Sequence, residues 1–186
     1  MEKIIESKNP EMNYQEKAGI GDCAALSGKV ILEVLGFPVF DHRDLYNSLM
    51  GKRFGIQPEI SHWKNEFKKR GLKTESGNLK NKKASDQIFT IQSCINKNMP
   101  VMLRIGSGET RQQKYFKIKG LFSPHYIAML GYNDSGFFVY DSSVSEDFYE
   151  KLPIGVIFRT KERILNSLKY SCIFDPYACC YIAARK

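Results

Sequence analysis

Cys23 stands directly before an apolar run, in the stretch GDCAALSGKVILEVLG that spans residues 21–36. We predict a buried helix here, with Asp22 as its N-cap and Gly36 as its stop, so that the cysteine lies at the helix N-terminus. The macrodipole and the free amides at that end stabilise an anion and lower the pKa of a thiol. The position makes Cys23 a candidate nucleophile.

A candidate base and its carboxylate partner come from the clearest hairpin in the sequence. Two apolar runs, HYIAMLGY and FFVYD, are joined by the turn-forming residues NDSG. His125 begins the first strand and Asp141 ends the second, so the folded hairpin brings them to the same end of the sheet. Asp141 can bind one imidazole nitrogen and leave the other to face a thiol. Cys23, His125 and Asp141 therefore predict a site for nucleophilic attack on a carbonyl carbon.

The other histidines and most other cysteines are weaker candidates. His42 adjoins the cap of a short predicted helix and His62 lies on an amphipathic one, so both are interpreted as surface or packing residues. Cys172, Cys179 and Cys180 lack the C-x-x-C or Cys/His spacing of a zinc site. We expect no metal, and the predicted chemistry requires no cofactor.

The elements that must position these residues fall into two groups, helices first and antiparallel strands afterwards. Helices are predicted at 22–35, 41–50, 58–70 and 84–97, and later at 161–168 with Thr160 as cap. Strands are predicted at VMLRI, YFKIKGLF, the two hairpin runs and CCYIAA. This order predicts an α+β fold in which a helical half packs face to face on an antiparallel sheet.

Composition is that of an ordinary globular protein. The chain has 186 residues, of which 42% are hydrophobic and 26% charged, and this length predicts a single domain over residues 1–186. Five cysteines are an odd number, which favours a reducing compartment over a disulfide framework. The first residues lack a signal-peptide core and no apolar run has transmembrane length. We expect the cytosol, either the producer's own or a host's reached without a cleaved signal.

The formal net charge of +8 bears on partners. Basic clusters are interpreted mainly as solvated faces, and the lack of a zinc-finger, RRM or KH signature argues against nucleic acid. The charge instead favours contact with an acidic protein surface or an anionic membrane.

The residues around Cys23, and those from Pro124 to Ser143, resemble the papain-like cysteine peptidases. In that superfamily a cysteine at the start of a central helix precedes a histidine and an aspartate on adjacent strands. The stretches DCAAL and PHYIAMLGY…GFFVYDS resemble in particular the double-glycine leader peptidase group, which includes peptidase domains of bacteriocin exporters and stand-alone bacterial effectors. The resemblance implies a helical half with the nucleophile, a sheet half with the base, and a substrate cleft between them.

The resemblance also implies an oxyanion-binding glutamine shortly before the cysteine. Gln15, eight positions upstream, is the nearest candidate, slightly farther than in the family, and Asn13 is an alternative. Ala24 stands where the exporter domains often have glycine. Because no transmembrane or ATPase segment follows, we expect a free-standing enzyme, with the polar loop 106–113 bordering its cleft.

These observations predict a cysteine protease that cleaves a protein or peptide through a thioester, and an effector acting on host proteins is one setting. The same three residues could instead deamidate a glutamine or transfer an acyl group to an amine. A third interpretation is a non-catalytic, basic protein-binding module in which the grouping of Cys23, His125 and Asp141 is coincidental.

Overall fold

The computed structural model describes residues 2–5, 22–39, 41–50, 59–108, 115–143, 156–171 and 175–186. Within them the elements in chain order are β1 (Lys3–Ile4), α1 (Cys23–Val34), α2 (His42–Met50), α3 (Ile60–Lys69), β2 (Lys73–Asn78), α4 (Ala84–Asn96), β3 (Val101–Gly106), α5 (Lys117–Phe122), β4 (Pro124–Tyr132), β5 (Gly136–Tyr140), β6 (Val156–Thr160), α6 (Lys161–Lys169) and β7 (Cys180–Arg185). The architecture is α+β, as predicted.

The strands form one antiparallel sheet in the order β2-β7-β3-β4-β5-β6, and β1 pairs with β4 outside this path. Strand β4 lies between β3 and β5, and its pairing places Ile105 opposite His125 and Ala128 opposite Tyr140. A register shift between Met129 and Gly131 interrupts the β4–β5 ladder. The first residues of β4 and the end of β5 consequently lie at the same end of the sheet.

Helix α1 packs on one face of the sheet, and all 12 of its residues are buried. Leu26 and Ile31 belong to a core cluster that also contains Met102 and Tyr126 from the sheet. The hydroxyl of Ser27 donates a hydrogen bond to the backbone oxygen of Tyr126 at 3.1 Å. Burial of each large aliphatic side chain contributes about 1.5–3 kcal/mol, so the position of α1 over β4 is strongly determined.

A glycine in the middle of α1 allows α3 to pack against it. A Cβ atom on Gly28 would lie 2.0 Å from the indole ring of Trp63. Trp63 is fully buried and its ring stacks at a tilt on Phe67, with 5.7 Å between centroids. The two helices meet because this one position carries no side chain.

Helices α4 and α6 cover the opposite face of the sheet. Their apolar residues Ile91, Ile95, Ile164 and Leu168 share a core cluster with Ile127 and Val139 of the hairpin strands. Helix α6 begins as predicted, because the hydroxyl of Thr160 accepts a hydrogen bond from the backbone N–H of Arg163. The sheet is therefore enclosed by helices on both faces.

The predicted strand YFKIKGLF is wrong, because most of this segment forms helix α5. Strands β3 and β4 already pair with each other from Val101 opposite Met129 to Gly106 opposite Pro124. The two flanking strands already have a neighbour on each side, β3 with β7 and β4 with β5, so neither offers this segment an open edge. The alternation of lysine and apolar residues has the period of a strand, but the segment lies between two strands that already have neighbours.

Three strands escaped prediction because they carry weak signals. β1 has two residues, β2 is the polar sequence KTESGN at the edge of the sheet, and β6 includes an arginine. The long helices and the remaining strands are confirmed to within a few residues. We found no helix in the described part of the chain with the length and apolarity needed to cross a bilayer.

Candidate active site

Cys23 is the first residue of α1, and 8% of its surface is exposed. Its backbone therefore lies at the positive end of a 12-residue helix dipole. The tight packing of α1 against the sheet holds the sulfur next to β4. The sequence expectation of a thiol at the start of a central helix is confirmed.

His125 and Asp141 meet at the end of the hairpin. His125 is the second residue of β4, Asp141 directly follows β5, and Oδ1 of Asp141 lies 2.7 Å from Nε2 of His125. The two side chains are 6% and 1% exposed, so their ion pair is shielded from water. Since Nε2 is bound to the carboxylate, the Nδ1 atom of the imidazole is left for the thiol.

The Cys23 thiol is hydrogen-bonded to the His125 imidazole, and each group changes the ionisation of the other. Burial opposes ionisation of Cys23, but the charge and hydrogen bond of His125 and a backbone hydrogen bond from Tyr126 lower the pKa of the thiol below its usual value. Burial also disfavours the imidazolium, yet the charges of Asp141 and Cys23 raise the pKa of His125 to about 10. Each group therefore favours the charged form of the other, a thiolate beside an imidazolium.

Besides His125, two other residues bind the Asp141 carboxylate. Its Oδ1 atom accepts hydrogen bonds from the backbone N–H of Ser143 at 2.8 Å and from the Ser143 hydroxyl at 2.7 Å. Its Oδ2 atom accepts a hydrogen bond from Nη2 of Arg159, a residue of β6 that is 2% exposed. Burial opposes ionisation, but Arg159 and His125 hold the pKa of Asp141 well below its usual range. The carboxylate remains charged and fixed in orientation.

Sequence reasoning missed Arg159 and Ser143. Ser143 is two residues after Asp141, a spacing at which an aspartate commonly accepts a bond from the backbone and a hydroxyl. Arg159 follows the apolar run VIF within β6, and a buried arginine requires an anionic partner. A charged residue directly after this apolar run was the available signal for a cation beside Asp141.

Asp22 is the N-cap residue of α1, as predicted, but the expected bond from its carboxylate to the helix amides is absent. Asp22 has helical backbone angles and makes no side-chain capping bond. Its Oδ2 atom lies 3.3 Å from Nε2 of His42 instead. His42, interpreted from sequence as a surface or packing residue without a carboxylate, is 8% exposed and lies beside the residue that precedes the nucleophile. The contact forms because the chain reverses direction between α1 and α2. The sequence pattern of either helix alone does not predict that reversal.

Other predicted positions lie apart from this cluster or outside the described residues. His62 accepts a hydrogen bond from the backbone N–H of Glu59 in a capping box at the start of α3. The oxyanion candidate Gln15, its alternative Asn13, and Cys172 lie outside the described residues, as does most of the loop 106–113. Within the described ranges, no three acidic, cysteine or histidine side chains are grouped to hold a metal.

A second buried arginine–aspartate pair lies on the same sheet. Nε of Arg104 donates to Oδ2 of Asp175 at 2.5 Å, and Nη1 donates to the hydroxyl of Tyr126 at 3.1 Å. Arg104 and Asp175 are each 7% exposed. This pair links β3 to the segment before β7 and makes no contact with Asp141 among the bonds described, so it provides a comparison for Arg159.

No family model matches the sequence, and no curated protein matches it. Solved structures do match over nearly the whole chain. A C39-like peptidase from Bacillus anthracis is 14% identical, with a TM-score of 0.60 over 99% of this chain and 98% of that one. The peptidase domain of Streptococcus ComA, a bifunctional ABC transporter of a quorum-sensing pathway, is 13% identical, with a TM-score of 0.55 over 99% and 98%.

A third structure, a double-glycine-motif protease from an AMS/PCAT transporter in complex with a leader peptide, is 12% identical, with a TM-score of 0.52 over 100% and 99% of the two chains. The agreement extends across the helical and sheet parts alike. The chain therefore has the papain-like fold of the C39-like peptidases.

Proposed function

We propose that the protein is a cysteine peptidase that cleaves a protein or peptide substrate, with Cys23 as nucleophile and His125 as its acid and base. Asp141 orients the imidazole and stabilises its positive charge. One observation carries the proposal: a buried chain of contacts runs from a helix-terminal thiol through an imidazole to a carboxylate. Its position at the junction of helix and sheet, in a fold shared with three peptidase structures, adds support.

The proposed reaction begins with the thiolate of Cys23 attacking the carbonyl carbon of the scissile bond. The electron pair of the C=O bond moves to oxygen, and the backbone N–H of Cys23 at the helix N-terminus donates to that oxyanion. Gln15 remains the proposed second donor. One such donor lowers the activation barrier by about 3 kcal/mol. The site therefore offers a positive helix end where negative charge develops.

Collapse of this intermediate breaks the C–N bond and forms a thioester on Cys23. The imidazolium of His125 gives its proton to the departing amine, which leaves neutral. His125 then takes a proton from water, and the resulting hydroxide attacks the thioester carbon. Collapse of this second intermediate breaks the C–S bond, releases the carboxylic acid product and leaves the Cys23 thiolate beside the His125 imidazolium. Asp141 stays ionised throughout because Arg159 and Ser143 hold its carboxylate in the charged form.

A peptide or protein is the proposed substrate because one structural relative is a protease bound to a leader peptide. The basic net charge of +8 favours substrates or partners with acidic surfaces. We propose a reducing compartment as the working environment, either the producer's cytosol or a host cytosol in which the protein acts as an effector.

The test is a comparison of cleavage products in a proteome-derived peptide mixture incubated with the wild type and with Cys23→Ala. Mass spectrometry should find new termini that depend on Cys23, because hydrolysis creates a free carboxylate and a free amine. Cys94→Ala is the matched control, since Cys94 is a buried cysteine on α4 that lies in a different core cluster. Its products should equal those of the wild type.

Other chemistries leave different traces in the same spectra. A one-dalton gain at glutamine without new termini would assign deamidation, and coupling of an amine to glutamine would assign acyl transfer. Either outcome contradicts proteolysis but keeps the nucleophile. Identical spectra from wild type and Cys23→Ala, with no modification at all, would favour a binding module.

A further inference from the structure

Helix α5 and the residue before it expose three large apolar side chains. Ile118 and Phe122 are each 61% exposed, and Phe116 is 56% exposed. Large apolar residues that expose more than half their surface in one short segment mark an interaction site more often than chance exposure. These residues lie on the outer face of a helix whose inner face packs on the protein, so their exposure follows from how the helix is oriented.

Helix α5 packs on the protein through its glycine. Gly120 is buried, and a Cβ atom there would lie 2.3 Å from the Tyr115 hydroxyl and 2.8 Å from the backbone oxygen of Tyr170. The helix therefore rests on Gly120, with its backbone against these two residues. Ile118 and Phe122, one helical turn apart, are turned to solvent while the smallest residue faces the protein.

Cations flank this apolar pair. Lys117 and Lys119 are exposed on α5, and no acidic residue occurs between Tyr115 and Pro124. The Nζ atoms of Lys117 and Lys169 lie 5.2 Å and 5.4 Å from the centroid of the Tyr170 ring, so Lys169 adds a third charge beside the helix. The surface thus combines exposed apolar side chains with positive charges only.

We propose that this surface, which we name the α5 patch and define as Phe116, Lys117, Ile118, Lys119 and Phe122, docks the protein on an anionic lipid bilayer. Ile118 and Phe122 enter the boundary between headgroups and acyl chains, and the lysines contact lipid phosphates. Segments with aromatic and aliphatic residues beside lysines bind membrane interfaces in this way.

The shape of the patch favours a bilayer over a small ligand. Ligand sites are concave and bury most of the molecule they hold, whereas the apolar side chains of the α5 patch expose more than half of their surface. A bilayer accepts protruding side chains without a preformed pocket. The net charge of +8 acts in the same direction over a longer range.

Membrane docking through the α5 patch also determines where the proposed active site lies. Phe122 is three residues before His125, and the backbone N–H of Ser107 donates to the Ser123 oxygen at 2.7 Å, so α5 is tied to the end of the sheet that carries His125. The docked protein therefore presents this end of the sheet at the lipid surface. The docking itself does not depend on peptidase activity.

The test is co-sedimentation with vesicles of phosphatidylcholine alone or mixed with phosphatidylglycerol. The wild type should bind the mixed vesicles and not the neutral ones. Ile118→Ser/Phe122→Ser should weaken binding by at least about tenfold through lost apolar insertion. Lys117→Gln/Lys119→Gln should weaken it by about tenfold or more, since each lysine near an anionic surface contributes to the affinity.

Matched controls separate this patch from general stickiness and general charge. Phe89→Ser removes a side chain that is 71% exposed on α4, and Lys64→Gln/Lys68→Gln removes the same two charges from exposed positions of α3. Both controls should bind mixed vesicles within about threefold of the wild type.

Equal losses in the two lysine pairs, or no binding of the wild type to mixed vesicles, would overturn the proposal. It would also be overturned if the Ile118→Ser/Phe122→Ser variant bound vesicles normally but raised the KM for a soluble peptide. That result would assign the patch to substrate docking. Because every arm except the last is independent of turnover, failure here is distinguishable from failure of the proposed peptidase activity.

Discussion

Replacing Arg159 by methionine should raise the pKa of the Cys23 thiol through Asp141, the carboxylate that Arg159 binds. Arg159 neutralises part of the charge on Asp141, and that charge raises the pKa of the Cys23 thiol. At an effective dielectric constant of about 20, a unit charge on the order of 10 Å away contributes roughly 1.5 kcal/mol. Its removal should therefore raise the pH at which the thiolate forms by about one unit.

The variant should also lose stability. Arg159 and Asp141 are 2% and 1% exposed, and breaking a buried ion pair by removing one partner costs about 3–5 kcal/mol. For a chain of this length the loss corresponds to a fall in Tm of about 10 °C. The measurement is the iodoacetamide rate at Cys23 against pH, taken below the melting transition and read by mass spectrometry.

Arg104→Met provides the matched control, because it breaks the other buried arginine–aspartate pair on the sheet. It should lower Tm by a similar amount but shift the alkylation profile of Cys23 less than Arg159→Met does, because Arg104 pairs with Asp175 and not with Asp141. Arg159→Lys retains the charge without the planar fork, so it should lower Tm and keep the profile close to that of the wild type. If Arg159→Met and Arg104→Met shift the profile equally, or neither shifts it, the electrostatic reasoning is refuted.

Three further predictions concern the same elements. His125→Ala should abolish turnover and also lower Tm, because it removes a buried partner of Asp141, whereas His62→Ala should retain activity within several-fold; activity assays below the melting transition and thermal melts of both variants decide this. Asp141→Asn should lower kcat/KM by about tenfold to ten-thousandfold and, because an amide cannot pair with Arg159, should also lower Tm; a fully active variant would remove the orienting role. Gly28→Ala should cost about 1–3 kcal/mol, since its Cβ would lie 2.0 Å from the Trp63 ring; an unchanged denaturant midpoint would contradict that packing.

Much of the fold was predictable because its signals are local. Helix α1 has an apolar run with a glycine stop, and Gly36 has the positive φ of 80° that such a stop requires. The β4–β5 hairpin has two apolar runs around a turn, and a hairpin brings its ends together whatever its register. The juxtaposition of His125 and Asp141 followed from that topology alone.

What escaped prediction depends on contacts between distant segments. Arg159 lies 18 residues from Asp141 in sequence, and nothing local links β6 to the end of β5. The pairing of His42 with Asp22 likewise depends on how α2 returns beside α1. Helix α5 has the sequence period of a strand, but the strands on either side of it, β3 and β4, already pair with each other and with β7 and β5. The catalytic roles of Cys23, His125 and Asp141 and the oxyanion role of Gln15 stay predictions.

The most direct test of the thiolate–imidazolium pair is the iodoacetamide rate of each cysteine at pH 6. An ordinary thiol, with a pKa of about 8.5, is less than about one percent ionised there. Cys23 should react because His125 lowers its pKa, whereas burial raises the pKa of Cys94 to about 11 and also raises that of Cys179. His125→Ala should slow Cys23 alone. Reaction of Cys23 no faster than Cys94 or Cys179, or an unchanged rate in His125→Ala, would contradict the proposed active site.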